Sequence, residues 1–106
     1  MPTPSREIRT RKAWQVLVAR ATNRQTITYG ELVALIGHPR SARTIGRGDL
    51  DPISQYCAEN AMPDITAIVV QKRTGRPALV RTVKDVDAER ELVYEYRWFA
   101  ATPYHA

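Results

Sequence analysis

Apolar residues recur at helical spacing in several parts of the chain. The first such pattern runs from Arg6 to Thr22, where aliphatic residues form one stripe and basic residues occupy the opposite face. Trp14 lies within the apolar stripe, so we interpret it as a core anchor rather than as an exposed stacking surface. Residues 1–5 contain two prolines and are predicted to form a loose tail.

Two short helical patterns follow within the segment Thr26–Arg47. Thr28 and Glu31 have the spacing of a capping box, so a helix is predicted to begin there after a short extended piece. Gly37 favours the left-handed conformation that ends a helix. A second short helix is expected over Pro39–Arg47, with small side chains on one face and arginines on the other. This arrangement is typical of a helix-turn-helix.

A further helix and a hairpin are predicted in the middle of the chain. Asp51 is the expected N-cap of the helix, Pro52 fits its first turn, and Asn60 ends it. The β-branched run Ile65–Gln71 is the strongest strand pattern in the sequence. After a turn, Pro77–Val83 can return as the second strand of a hairpin, since proline is tolerated at a strand start or edge.

A C-terminal helix is predicted over Asp85–Ala101, before a tail at residues 103–106. The residues expected to face the core are Leu92, Val93, Tyr96 and Phe99. The whole chain, 1–106, is then a single domain of the α+β class, mainly helical. We expect a winged helix-turn-helix with a small β-hairpin wing and a C-terminal helix.

The composition is that of an ordinary soluble protein, with 43% hydrophobic and 25% charged residues. No apolar run approaches the roughly 20 residues that span a bilayer. The first residues are polar and basic and have no apolar stretch typical of a signal peptide. We therefore expect a cytoplasmic protein with no membrane partner.

Positive charge is concentrated in the first half of the chain. Residues 1–50 carry nine Arg or Lys side chains against three acids, whereas the remainder carries seven against eight. The excess therefore coincides with the predicted helix-turn-helix, as binding to a polyanion such as DNA requires. The alternative is a solvated basic surface that maintains solubility.

The sequence offers little that could support catalysis. Cys57 is the single cysteine and there are two histidines, which excludes an internal disulfide and a Cys/His zinc site. Cys57 lies in a predicted helix without a nearby histidine to activate it, so we interpret it as an inert core thiol. Acidic pairs such as Asp85 and Asp87 are better explained by the start of a helix. We expect no metal, no cofactor and no enzymatic activity.

The segment beginning at Thr28 reads TYGELVALIGHPRSARTIGR. It resembles the winged-helix DNA-binding domain of alkylguanine-DNA alkyltransferases and alkyltransferase-like proteins, which read approximately S-Y-G-x-L-A-x-x-I-G-x-P-x-A-A-R-A-V-G. The match includes the tyrosine, the Gly-x-Pro break and the Ala-Arg pair. The resemblance implies a recognition helix in the minor groove, with Arg43 replacing an extruded base and Tyr29 pressing on the target phosphate.

The resemblance stops where the chemistry of those families begins. Alkyltransferases carry a Pro-Cys-His-Arg motif after the recognition helix, and alkyltransferase-like proteins replace its cysteine by tryptophan. The corresponding segment here, Met62–Lys72, contains neither version. The resemblance therefore implies DNA binding, in DNA repair or regulation, without alkyl transfer. The predicted contacts to duplex DNA are Tyr29, Arg40, Ser41, Ala42, Arg43 and Arg47, with Lys72, Arg73 and Arg76 on the wing.

Two other hypotheses remain open at this stage. Tyr29 can simply cover the core edge, and Ser41 and Ala42 can pack against the preceding helix. Independently, the chain can be a protein-interaction module on a winged-helix scaffold that binds a partner through its aromatic C-terminal helix, with Trp98 and Tyr104 as the contact residues. The remaining hypothesis is an enzyme that uses Cys57.

Overall fold

The computed structural model describes residues 5–37, 50–71 and 86–98. The longest element in it is α1, Arg6–Thr22, which has the range that the apolar spacing predicts. The Ser5 side chain accepts a hydrogen bond from the backbone N–H of Ile8 (3.3 Å) and so caps the helix. Trp14 is buried, as expected for a core anchor, and α1 contacts the other helices of the described chain.

A short parallel sheet follows from the next segment. β1, Ile27–Thr28, pairs with β2, Val69–Val70, in the register Ile27 to Val69 and Thr28 to Val70. Ile27 and Val69 are almost completely buried, so the sheet belongs to the core. Because the strands are parallel, the segments that follow them leave the sheet at the same edge.

The prediction of a strand over Ile65–Gln71 is mostly wrong. Its first four residues form a 3-10 helix, Ile65–Ile68, and the strand is limited to Val69–Val70. The Asp64 carboxylate accepts hydrogen bonds from the backbone N–H (3.1 Å) and hydroxyl (2.6 Å) of Thr66, which closes the helical turn. Ile65 and Ile68 are fully buried in this turn, and the pairing in the sheet begins at Val69. The predicted second strand, Pro77–Val83, lies outside the described residues.

α2, Tyr29–Ile36, has the predicted boundaries. The capping box between Thr28 and Glu31 is present, and Gly37 ends the helix with a left-handed φ of 75°. Leu32 and Ile36 are fully buried, and α2 packs against α1. The helix predicted next, Pro39–Arg47, lies outside the described residues.

α3, Asp51–Glu59, begins one residue earlier than predicted. Leu50 rather than Asp51 occupies the N-cap, and Pro52 lies in the first turn. Leu50 is 5% exposed, so burial of its side chain fixes this helix start. Asn60 ends the helix as predicted, and Ile53 and Cys57 form its fully buried side.

α4, Val86–Glu95, is shorter than the predicted helix. After it the chain bends, and the indole N–H of Trp98 donates to the backbone carbonyl of Val93 (2.8 Å). Val86 and Val93 are buried, whereas Leu92 is 52% exposed. The expectation that Leu92 faces the core is therefore wrong, because the two valines, seven residues apart, define the packed face. Phe99 lies outside the described residues.

The core is closed by aromatic side chains from three parts of the chain. Trp14 of α1 makes edge-to-face contacts with Tyr56 of α3 and with Trp98, at centroid distances of 5.7 Å and 5.6 Å.

The described residues form four α-helices, one 3-10 helix and a two-stranded parallel sheet. This is a mainly helical α+β architecture, as predicted. Within the described ranges, no helix has the length and apolar character needed to cross a membrane.

Candidate nucleic-acid interface

Tyr29 is the predicted DNA contact that the described structure contains. It begins α2 directly after Thr28 and packs, half-buried, against the core. The packing agrees with the interpretation that Tyr29 covers the core edge. The same packing also holds the Tyr29 side chain in place. A residue that contacts a phosphate needs such a fixed position.

The first turn of α2 is held by reciprocal hydrogen bonds. The Thr28 hydroxyl accepts from the backbone N–H of Glu31 (3.1 Å), and Glu31 Oε1 accepts from the Thr28 backbone N–H (3.1 Å) and hydroxyl (3.0 Å). The bonds from the backbone and side chain of Thr28, and then the charge of Arg20, lower the pKa of Glu31. Glu31 therefore remains a carboxylate at neutral pH and keeps its role as acceptor.

None of the described residues fills the space beside Gly30 in this first turn. Gly30 is exposed, and a Cβ built there would have no heavy atom of the described chain within 4 Å, apart from its chain neighbours and its own helix backbone. A bulky group can therefore approach the backbone of α2 at this residue more closely than at one with a side chain.

The parallel sheet brings the start of α2 close to the start of the predicted wing. Thr28 is the Cα partner of Val70, so Tyr29 and Gln71 follow paired residues at one edge of the sheet. The predicted wing contacts Lys72, Arg73 and Arg76 begin one residue after Gln71 and lie outside the described residues. The sheet register thus places Tyr29 and Gln71, the residue before the predicted wing, after paired strand residues.

The other end of α2 leads into the predicted recognition helix. Gly37 is left-handed, so the helix stops and the chain changes direction one residue before His38. The remaining predicted contacts lie outside the described residues. They are Arg40, Ser41, Ala42, Arg43 and Arg47.

The environment of Cys57 opposes a nucleophilic role. The side chain is fully buried, and burial is the main factor that raises the pKa of its thiol to about 12. A backbone hydrogen bond from Ile65 lowers this pKa by less than burial raises it, and the nearby negative charges of Asp64 and Glu89 raise it further. A reactive cysteine needs a thiolate near neutral pH, which this site disfavours.

A polar junction that the sequence reading missed lies near Cys57. The Ser54 hydroxyl donates to Asp64 Oδ2 (2.9 Å), and the Asp64 backbone N–H donates to Glu89 Oε2 (2.6 Å). The junction joins α3, the 3-10 helix and α4. Its sequence signal is Asp64 two residues before Thr66, a spacing typical of a side-chain-capped turn. The Asp64 oxygens accept bonds within the fold, which indicates a structural role.

The structure removes Trp98 from the predicted protein-binding surface. Its side chain is 4% exposed and its indole N–H is bonded inside the fold, so Trp98 is a core residue. Tyr104, the other residue of that hypothesis, lies outside the described residues. Tyr94 is half-buried, and the guanidinium of Arg24 lies 5.7 Å from its ring centroid.

Comparison of the chain with protein-family models, with curated proteins and with solved structures finds no match. The function is therefore inferred from the residues, their geometry and their charge. The two features that carry most of this inference are the sheet edge beside Tyr29 and the asymmetric distribution of positive charge.

Proposed function

We propose that the chain is a non-enzymatic DNA-binding protein of the winged-helix type. In this proposal the predicted helix Pro39–Arg47 is the recognition helix, and the predicted wing contains residues 72–76. The observation that carries this proposal is the parallel pairing of Thr28 with Val70. It supports a single binding face, because Tyr29 and the wing segment then follow adjacent strand ends.

The charge distribution supports the same face. The residues up to 50 hold a clear excess of Arg and Lys, including Arg40, Arg43 and Arg47 of the proposed recognition helix. Contacts between such side chains and phosphates supply most of the affinity in non-specific DNA binding. We therefore expect that contacts to the DNA backbone or to the minor groove dominate binding, and that the sequence preference is modest.

In this proposal Arg43 enters the minor groove from a helix whose small residues, Ser41 and Ala42, permit close approach. Tyr29 contacts the phosphate next to it. No alkyl transfer follows, because the chain lacks the Pro-Cys-His-Arg motif and Cys57 is a buried thiol with a raised pKa. A role in DNA repair or regulation would rest on recognition alone.

A filter-binding titration with a plain DNA duplex at low salt tests the proposal. Arg43→Ala should weaken binding about tenfold, as expected for loss of an arginine that contacts DNA. The matched control is Arg97→Ala, which removes the same charge from an exposed residue after α4 and should change the affinity less than about twofold. Tyr29→Phe keeps the packed ring and should weaken binding by a smaller factor.

Equal losses of affinity for Arg43→Ala and Arg97→Ala would mean that only net charge matters and would overturn the assigned face.

The same titration should include a duplex with an alkylguanine and a single strand. Equal binding to the plain and alkylated duplexes, with weaker binding to the single strand, is the result expected for DNA binding without a lesion pocket. No salt-dependent binding to any of the three would remove the proposed function.

A further inference from the structure

Arg20 of α1 contacts two other parts of the chain at the point where α2 begins. It lies in the last turn of α1, and one of its guanidinium N–H groups donates to the backbone carbonyl of Thr26 (3.3 Å). The other terminal nitrogen is 3.7 Å from Glu31 Oε2. A single side chain thus contacts both the connection before β1 and the first turn of α2.

Glu31 extends this contact to the residue before Tyr29. Its Oε2 faces Arg20, while its Oε1 accepts the hydrogen bonds from Thr28. The two carboxylate oxygens therefore have different partners, and an ion pair followed by hydrogen bonds links α1 through Glu31 to Thr28. Tyr29 lies within the turn that these bonds close.

The ion pair itself is too exposed to explain Arg20 through stability. The Arg20 side chain is 31% exposed and that of Glu31 is 51% exposed, and pairs of this kind contribute little to the free energy of unfolding. The guanidinium is planar, however, with donors in fixed directions, so it restricts the relative orientation of the groups that it joins. Its effect should therefore be on geometry.

We propose that Arg20 is a positioning residue for DNA binding. It holds the first turn of α2 against α1 through Thr26 and Glu31, and so orients Tyr29. Arg20 itself makes no DNA contact. This inference rests on the proposed function.

The salt dependence of DNA binding separates positioning from direct contact. Arg20→Met should weaken binding to a plain duplex about fivefold, at the lower end of usual coupling between sites. The slope of the logarithm of the binding constant against the logarithm of salt concentration should stay unchanged, because no phosphate contact is lost. Arg11→Met removes the same charge from an exposed residue of α1 and is the matched control, with an expected change below about twofold.

A double-mutant cycle with Glu31→Gln tests whether Arg20 acts through Glu31. Glutamine preserves the acceptor of the capping box but removes the ion pair. Arg20→Met should therefore weaken binding less in the Glu31→Gln background than when Glu31 is present, because only the bond to the Thr26 carbonyl is then left to lose. In the Glu31→Gln background both proteins lack the Glu31 carboxylate, so the general effect of its loss on DNA binding cancels.

Three results would overturn the inference. A salt slope that falls by about 0.9 in Arg20→Met would indicate a direct phosphate contact. An equal loss of affinity in Arg11→Met would indicate a general charge effect, and an equal loss in the Glu31→Gln background would show that Arg20 does not act through Glu31. If wild type and Arg20→Met bind DNA equally tightly, this inference alone is contradicted. If the wild-type protein does not bind DNA, the proposed function is contradicted as well.

Discussion

α2 and α3 have similar lengths, and each buries two side chains four residues apart, but their ends are held differently. α2 begins with a capping box and ends with a left-handed glycine. α3 begins after Leu50, whose aliphatic side chain cannot accept a hydrogen bond, and Ala61, shortly after its end, has a positive φ of 56°. A non-glycine residue in that conformation costs about 1 kcal/mol or more.

Contacts with other elements compensate for the weak ends of α3. The Ser54 hydroxyl donates to Asp64 Oδ2 at the start of the 3-10 helix (2.9 Å). Ile53 is fully buried in the core. The comparison indicates that local sequence determines α2, whereas tertiary packing determines α3. A helix that is defined locally is well suited to present Tyr29 at a surface.

The strongest test of this comparison is Ile53→Ala in α3. It should lower the free energy of unfolding by about 3 kcal/mol, because it removes a fully buried side chain and leaves a cavity. Urea unfolding followed by circular dichroism measures the change. Ile8→Ala removes the same atoms from a residue that is 45% exposed and should cost less than about 0.5 kcal/mol. Similar costs for the two variants would contradict packing as the basis of α3.

Thr28→Ala should have a smaller effect, confined to α2. Loss of the N-cap oxygen should cost about 1 kcal/mol in the same urea experiment. Thr22→Ala is the control, since the Thr22 hydroxyl donates to the Val18 carbonyl within α1 (2.8 Å) and caps no helix start. That variant should change the free energy of unfolding by less than about 0.5 kcal/mol. If both variants cost the same, the capping box does not define α2.

Ala61→Gly should give the smallest effect, with the opposite sign. Glycine adopts a positive φ without steric cost, so the variant should be about 0.5 kcal/mol more stable than wild type. Ala58→Gly makes the same substitution within α3 and should be destabilising, because glycine is a poor helix former. If Ala61→Gly has a lower free energy of unfolding than wild type, the end of α3 is not strained.

The comparison also explains which parts of the fold the sequence could predict. The start and end of α2 were predictable because Thr28, Glu31 and Gly37 act on their own neighbours. The 3-10 helix was not, because Ile65 and its β-branched neighbours favour a strand until the turn formed by Asp64 and the burial of these side chains in the core are taken into account.

The same limit applies to the aromatic residues and to the candidate site. Trp98 reads as surface in a continuous helix, but the chain bends after α4 and returns the indole to Val93. The bridge from Arg20 to Glu31 joins residues of different elements, so helical spacing could not reveal it. Tyr29 was identified by its motif, and its half-buried packing depends on tertiary contacts that no local pattern encodes.

Both tryptophans of the chain, Trp14 and Trp98, lie in one aromatic cluster, with their rings nearly perpendicular at 83°. Intrinsic fluorescence from this protein therefore reports on a single place, where α1 meets the segment after α4. α2 contains no tryptophan, so local loosening around Tyr29 leaves the emission maximum unchanged, while global unfolding shifts it to longer wavelength. Tryptophan emission thus separates local loosening of α2 from loss of the fold.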